Sequence, residues 1–108
     1  MDFTHFLRLI HAESERLAKH YPCDSMDRET FARAVKLGEE VGELFSEILK
    51  HSALQRKEKM QGYDKDKESL AEEFADVIIT SLLLAERMNI DIESALTKKM
   101  EKIEKRYE

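Results

Sequence analysis

The carboxylate chemistry open to this chain is concentrated in two short stretches, "LGEEVGEL" at 37–44 and "LAEEFADV" at 70–77. Read as helix, Glu40 and Glu43 stand three apart and Glu39 and Glu43 four apart, so all three share one side of the helix. Glu73 with Asp76, and Glu72 with Asp76, repeat both spacings. If the two helices form an antiparallel hairpin turning near residue 58, the acidic sets reach the same height. Carboxylates gathered between helices repel one another and are driven to hold protons. A dication reverses that interaction, and an all-oxygen set selects a hard ion, Mg²⁺ first and Mn²⁺ second. The plain alternative is two solvated acidic faces, since either pair alone is ordinary on a surface helix.

Three features favour convergence. The acids adjoin the most apolar part of the chain, the pattern occurs twice, and small residues (Gly38, Gly42, Ala71, Ala75) flank it in both copies. A glycine inside a helix costs about 1 kcal/mol relative to alanine. The expectation is that these small residues let the two acid-bearing helices approach closely. Redox iron is disfavoured, because none of His5, His11, His20 and His51 completes the Glu-x-x-His spacing of a di-iron bundle. Zinc lacks a His/Cys set.

The elements that must position these acids are helical. Phe3, Phe6, Leu7, Ile10 and Leu17 form one stripe of a first helix over about Phe3 to Tyr21, which "YPCDS" then breaks. Ser25 or Asp27 is placed to cap a second helix beginning at Arg28-Glu29 and running to about Ala53. It carries Phe31, Val35, Val41, Leu44, Phe45, Ile48 and Leu49, with Phe31 and Phe45 expected in the core. The polar "QRKEKMQGYDKDKES" reads as a solvated connection, or else as lysines that meet an incoming anion. A third helix over about Ser69 to Met88 contains "DVIITSLLLA", whose apolar groups cover most of the circumference. Four short helices do not easily enclose one of their own number on every side, so self-association is expected. Asn89 ends that helix and Asp91 caps a fourth, with Ile92, Leu96, Met100 and Ile103 as its inner stripe.

With 108 residues, 38% charged, one proline and three glycines, the chain reads as one all-α domain over 1–108. A net charge of −5 argues against nonspecific nucleic-acid or anionic-membrane binding. The lone Cys23 cannot form an internal disulfide. The start "MDFTHFLRLIHAESER" has no signal-peptide pattern and no span suits a membrane helix, so a cytoplasmic protein is expected.

"KLGEEVGEL" followed by "EEFADVI" resembles the signature of the MazG-like nucleotide pyrophosphohydrolases, Glu-Glu-x-x-Glu on one helix and Glu-x-x-Asp on the next. The match uses Glu39, Glu40, Glu43, Glu73 and Asp76. "ALTKKMEKIEKRYE" is similar to the family's closing segment, so the resemblance extends from about Phe31 onward. It implies an all-α helical bundle completed by oligomerisation as a homodimer or homotetramer. It also implies Mg²⁺-dependent hydrolysis of a nucleoside triphosphate to the monophosphate and pyrophosphate, in nucleotide-pool house-cleaning. Glu40, Glu43, Glu73 and Asp76 would be the metal ligands, with Glu39 a further ligand or the base. Lys36, Thr80, Lys99 and Arg106 would lie towards substrate. Ile103 replaces the family's tail asparagine and Thr80 stands where relatives carry tyrosine or asparagine, which leaves substrate identity open. Two other readings compete: phosphoribosyl-ATP pyrophosphohydrolase, suggested by the "KLGEE" start, and a non-catalytic helical oligomerisation module.

Overall fold

The computed structural model describes residues 1–56 and 67–108. The expected turn near residue 58, Gly62 and most of the lysines of the polar connection lie outside the described residues. The described chain is all-helical, with α1 at Phe3–His20, α2 at Met26–Arg56, α3 at Glu68–Arg87 and α4 at Ile92–Lys105.

Local chemistry sets most of these boundaries. Asp2 caps α1, its carboxylate accepting from the His5 amide at 2.7 Å. Pro22 follows the end of α1 and cannot continue it. Ser25, one of the two expected caps, accepts from the Arg28 amide at 3.2 Å, and α2 starts at Met26 and runs three residues past Ala53. Asn89 takes the left-handed conformation (φ 57°) that closes a helix. Asp91 then caps α4 through the Ser94 amide at 3.1 Å.

α3 lies at the centre, with α2 and α1 packed against it, and α4 approaches α3. The core joins Ile10 of α1 to Leu82 and Leu83 of α3, with Phe6, Leu7, Leu17, Ile79 and Ile92 around them. A buried arginine ties the three helices together. Arg33 of α2 donates to the Ser14 hydroxyl and carbonyl of α1 at 2.8 and 3.1 Å and to the Leu83 carbonyl of α3 at 2.9 Å. Glu29 accepts a hydrogen bond from Arg33 at 2.9 Å and forms an ion pair with Arg87 of α3 at 2.7 Å, so one carboxylate serves two guanidinium groups.

This packing leaves much apolar surface uncovered. No described side chain is less than 2% exposed. The Cα radius of gyration is 17.4 Å, against about 13 Å for a compact domain of 100 residues. Phe31 and Phe45, expected in the core, are 68% and 60% exposed, because α2 presents its opposite face to α3. The α4 stripe is only partly covered, with Leu96 and Met100 about half exposed. Within the third helix, Leu82 and Leu83 are buried while Ile78 is 54% exposed, so one chain does not enclose "DVIITSLLLA".

Candidate metal centre

α2 and α3 run side by side, and their facing edges bring Glu40, Glu73 and Asp76 together. One carboxylate oxygen from each lies within 4.8 Å of the others. Oxygens on opposite sides of a hard cation lie roughly 4–5 Å apart, so the three are spaced to share one ion. Glu40 is buried, Glu73 is half-buried and Asp76 is exposed, which gives the cluster a floor and an open side.

Glu40 sets the electrostatics. Its side chain is 8% exposed, and Lys36, one turn earlier, reaches one of its oxygens at 3.2 Å. The other oxygen, Oε2, is buried with no hydrogen-bond partner, and so is Oε2 of Glu73. An unsatisfied buried carboxylate oxygen costs free energy that water or a partner would otherwise offset. Glu73 is pushed up from the ordinary carboxylate range, first by burial and then by the negative charges of Glu43, Asp76, Glu40 and Glu47. Lys36 is pushed up by its hydrogen bond to Glu40 and the surrounding carboxylates, so it holds its proton firmly. The donor set is all oxygen, and two of its residues, Glu40 and Glu73, each carry a buried oxygen without a hydrogen-bond partner. It therefore fits a divalent hard cation.

Beside the cluster runs a groove of about 530 Å³ lined by Glu39, Gly42, Glu43, Ser46, Glu47, Lys50 and Glu73. Glu43 is thus at the site's edge, its charge acting on Glu73, rather than among the three clustered acids. Glu39 is largely exposed and lies 3.7 Å from Lys36. The Thr80 hydroxyl donates to the Asp76 and Val77 carbonyls of its own helix. Lys99 of α4 and Arg106, just past its end, lie exposed, and among the described residues the backbones of α4 and α2 do not approach closely. Glu47 and Lys50 were not singled out from sequence. Their spacing of four and seven from Glu43 continues the same helix face and was the available signal.

The glycines do not do what their position suggested. A Cβ built on Gly38 or Gly42 meets nothing within 4 Å, so neither residue is needed for α2 to approach α3. Both point away from the acids' partner helix, because a spacing of two from Glu40 turns a side chain about 160° around the axis.

The model of the MazG-like family matches residues 32–108, a span containing every acid of the cluster. The chain belongs to the MazG-like family. No curated protein and no solved structure matches it. At family level, membership points to nucleotide pyrophosphohydrolase chemistry and to a divalent metal, which the orphaned oxygens of Glu40 and Glu73 also suit.

Proposed function

We propose that this MazG-like chain hydrolyses a nucleoside triphosphate, NTP or dNTP, to the monophosphate and pyrophosphate with Mg²⁺, or Mn²⁺ in its place. The observation that carries the reading is the pair of buried, unpartnered oxygens on Glu40 and Glu73 within a three-acid cluster. A surface acidic patch on an adaptor has no reason to bury such oxygens.

Glu40, Glu73 and Asp76 would hold the cation, with Glu43 at the groove edge as a further ligand. When bound, the cation supplies charge neutralisation to phosphate oxygens and a water of lowered pKa. The chain's own residues do the rest. Lys36 anchors Glu40 in place at 3.2 Å. Lys50, on the groove wall, meets the far phosphates. Glu39 is exposed beside this lining and takes the proton released as water attacks phosphorus. Thr80, one turn beyond Asp76, lies towards the sugar or base. Lys99 and Arg106 reach substrate only if α4 is brought alongside the groove.

The test is a panel of NTPs and dNTPs scored by pyrophosphate release with Mg²⁺ and with Mn²⁺. It is run beside Glu40→Gln, with metal-dependent thermal shift as a second readout. Expected are release by the wild type, loss of at least a hundredfold in the variant, and loss of most of its metal shift. A wild type that releases nothing from any substrate and shows no shift with either ion overturns the proposal.

A further inference from the structure

Glu40 presents its two carboxylate oxygens unequally. Lys36, one turn earlier on α2, holds Oε1 at 3.2 Å, while Oε2 is buried without a hydrogen-bond partner. The carboxylate side chain is 8% exposed and the lysine 57% exposed, so a solvated ammonium reaches inward to a packed partner. Glu39 flanks the same ammonium at 3.7 Å. Because Lys36 and Glu40 stand four apart on one helix, local geometry forms the pair before any ligand arrives.

That division matters because Ca²⁺ and Mg²⁺ use carboxylates differently. Ca²⁺ takes about six to eight oxygens in a flexible shell and accepts both oxygens of one carboxylate. Mg²⁺ is smaller, requires near-octahedral geometry and keeps several waters beside a few carboxylate oxygens. A carboxylate with both oxygens free serves either ion, whereas one with an oxygen held by an ammonium offers a single bond. We propose that Lys36 is a positioning residue that reserves Oε1 of Glu40, limits that carboxylate to one bond through Oε2, and so tilts the Glu40, Glu73 and Asp76 cluster towards Mg²⁺ and against Ca²⁺. This role of Lys36 rests on the hydrolase reading, in which the cluster holds the cation. The oxygen that Glu40 withholds leaves a position on the ion for a phosphate oxygen or water.

Lys50 supplies the comparison. It lies on the groove wall with Glu43, Glu47 and Glu73, so its charge bears on the same site, but the ion pair to Glu40 is made by Lys36. Removing either ammonium makes the site more negative and strengthens binding of any dication. Charge alone treats two ions of equal charge alike. Only the loss of Lys36 also frees an oxygen, and the ratio of Ca²⁺ to Mg²⁺ affinity isolates that effect.

The experiment is calorimetric titration of Mg²⁺ and of Ca²⁺ into the EDTA-stripped full chain, for wild type, Lys36→Met and Lys50→Met. Lys36 is exposed, so its replacement leaves the fold intact, which unchanged helical circular dichroism verifies. Altering a group that orients a metal ligand moves affinity by about 10–100-fold. The Ca²⁺ to Mg²⁺ affinity ratio should therefore rise about tenfold in Lys36→Met and keep its wild-type value in Lys50→Met. In the infrared difference spectrum of Ca²⁺-loaded against metal-free protein, the two carboxylate stretches should lie closer together in Lys36→Met than in wild type, the signature of binding through both oxygens. A ratio unmoved by Lys36→Met, or raised equally by both variants, overturns the inference. So does a Lys36→Met chain that binds neither ion, or one whose carboxylate bands match wild type. A wild type that binds neither ion overturns the hydrolase reading along with it, which tells the two failures apart.

Discussion

Replacing Glu73 with glutamine separates a metal site from a surface acidic patch, because the sign of its effect reverses with metal. Without metal, Glu73 is held above the ordinary carboxylate value of 4.5 by burial and by the charges of Glu43, Asp76, Glu40 and Glu47. A carboxyl whose folded pKa is raised contributes stability below its unfolded pKa and loses it as pH rises through the folded pKa. At neutral pH the ionised Glu73 therefore works against folding, and Glu73→Gln should melt higher than wild type in EDTA. That advantage should vanish below about pH 4, where both states of the wild type are protonated. With metal the order inverts. A cation binding only the native state at 100 times its dissociation constant stabilises by about 2.7 kcal/mol. For a chain this size that raises the melting temperature by roughly 10–20 °C. The variant, lacking one ligand charge and one of the orphaned oxygens, should gain only a few degrees. The assay is a thermal melt by circular dichroism at pH 7 in EDTA, Mg²⁺ and Mn²⁺. Equal metal shifts in both proteins, or a variant less stable than wild type in EDTA, would refute the reasoning.

Other outcomes follow from other parts of the chain. Arg33→Met removes four hydrogen bonds, three of which join α2 to α1 and α3, and leaves Glu29 with Arg87 alone; breaking a buried ion pair costs about 3–5 kcal/mol, and urea unfolding should show that loss or a chain that no longer folds. His11 is raised above 6.5 by its 2.8 Å contact with Glu86 and then by the charges of Glu86 and Glu15. Its stabilisation is present below the unfolded pKa and fades as pH rises through the folded one, so the melting difference between wild type and His11→Gln should shrink from about pH 6 to pH 8.5. Gly38→Ala and Gly42→Ala, whose added Cβ meets nothing within 4 Å, should each strengthen α2 by about 0.5–1 kcal/mol, read as a higher urea midpoint.

The parts of the fold legible in sequence were those fixed by local rules. Ser25 and Asp91 cap helices because a short oxygen-bearing side chain before an apolar stripe accepts orphan amides. Convergence of Glu40, Glu73 and Asp76 followed from their spacing and a hairpin, two facts that a sequence carries. Phe31 and Phe45 misled because periodicity detects an apolar stripe without saying which surface covers it. α2 carries stripes on two opposite faces, one against α3 and one bare, and a single-core reading folds both inward. Glu29 and Arg33 form an ordinary i,i+4 pair in sequence. Their burial depends on Ser14 and Leu83, 19 and 50 residues from Arg33, and no local rule reaches that far.

The two faces of α2 are thermodynamically joined. Among the described residues one protomer buries only four apolar side chains, a small core to set against conformational entropy. Against that core it also holds two buried carboxylate oxygens that nothing satisfies. Covering the bare apolar face of Phe31, Val35, Phe45 and Leu49 would add apolar burial on one side of α2, and binding a cation would relieve the acids on the other. If both occur only in the folded chain, each raises the population competent for the other. Near the dimer dissociation constant, metal should then tighten association, and pairing should tighten metal binding by the same factor, since coupling free energy is reciprocal. Glu40 lies where the two meet: its carboxylate belongs to the cluster with Glu73 and Asp76, while the glycines two residues either side turn their bare backbone to open space.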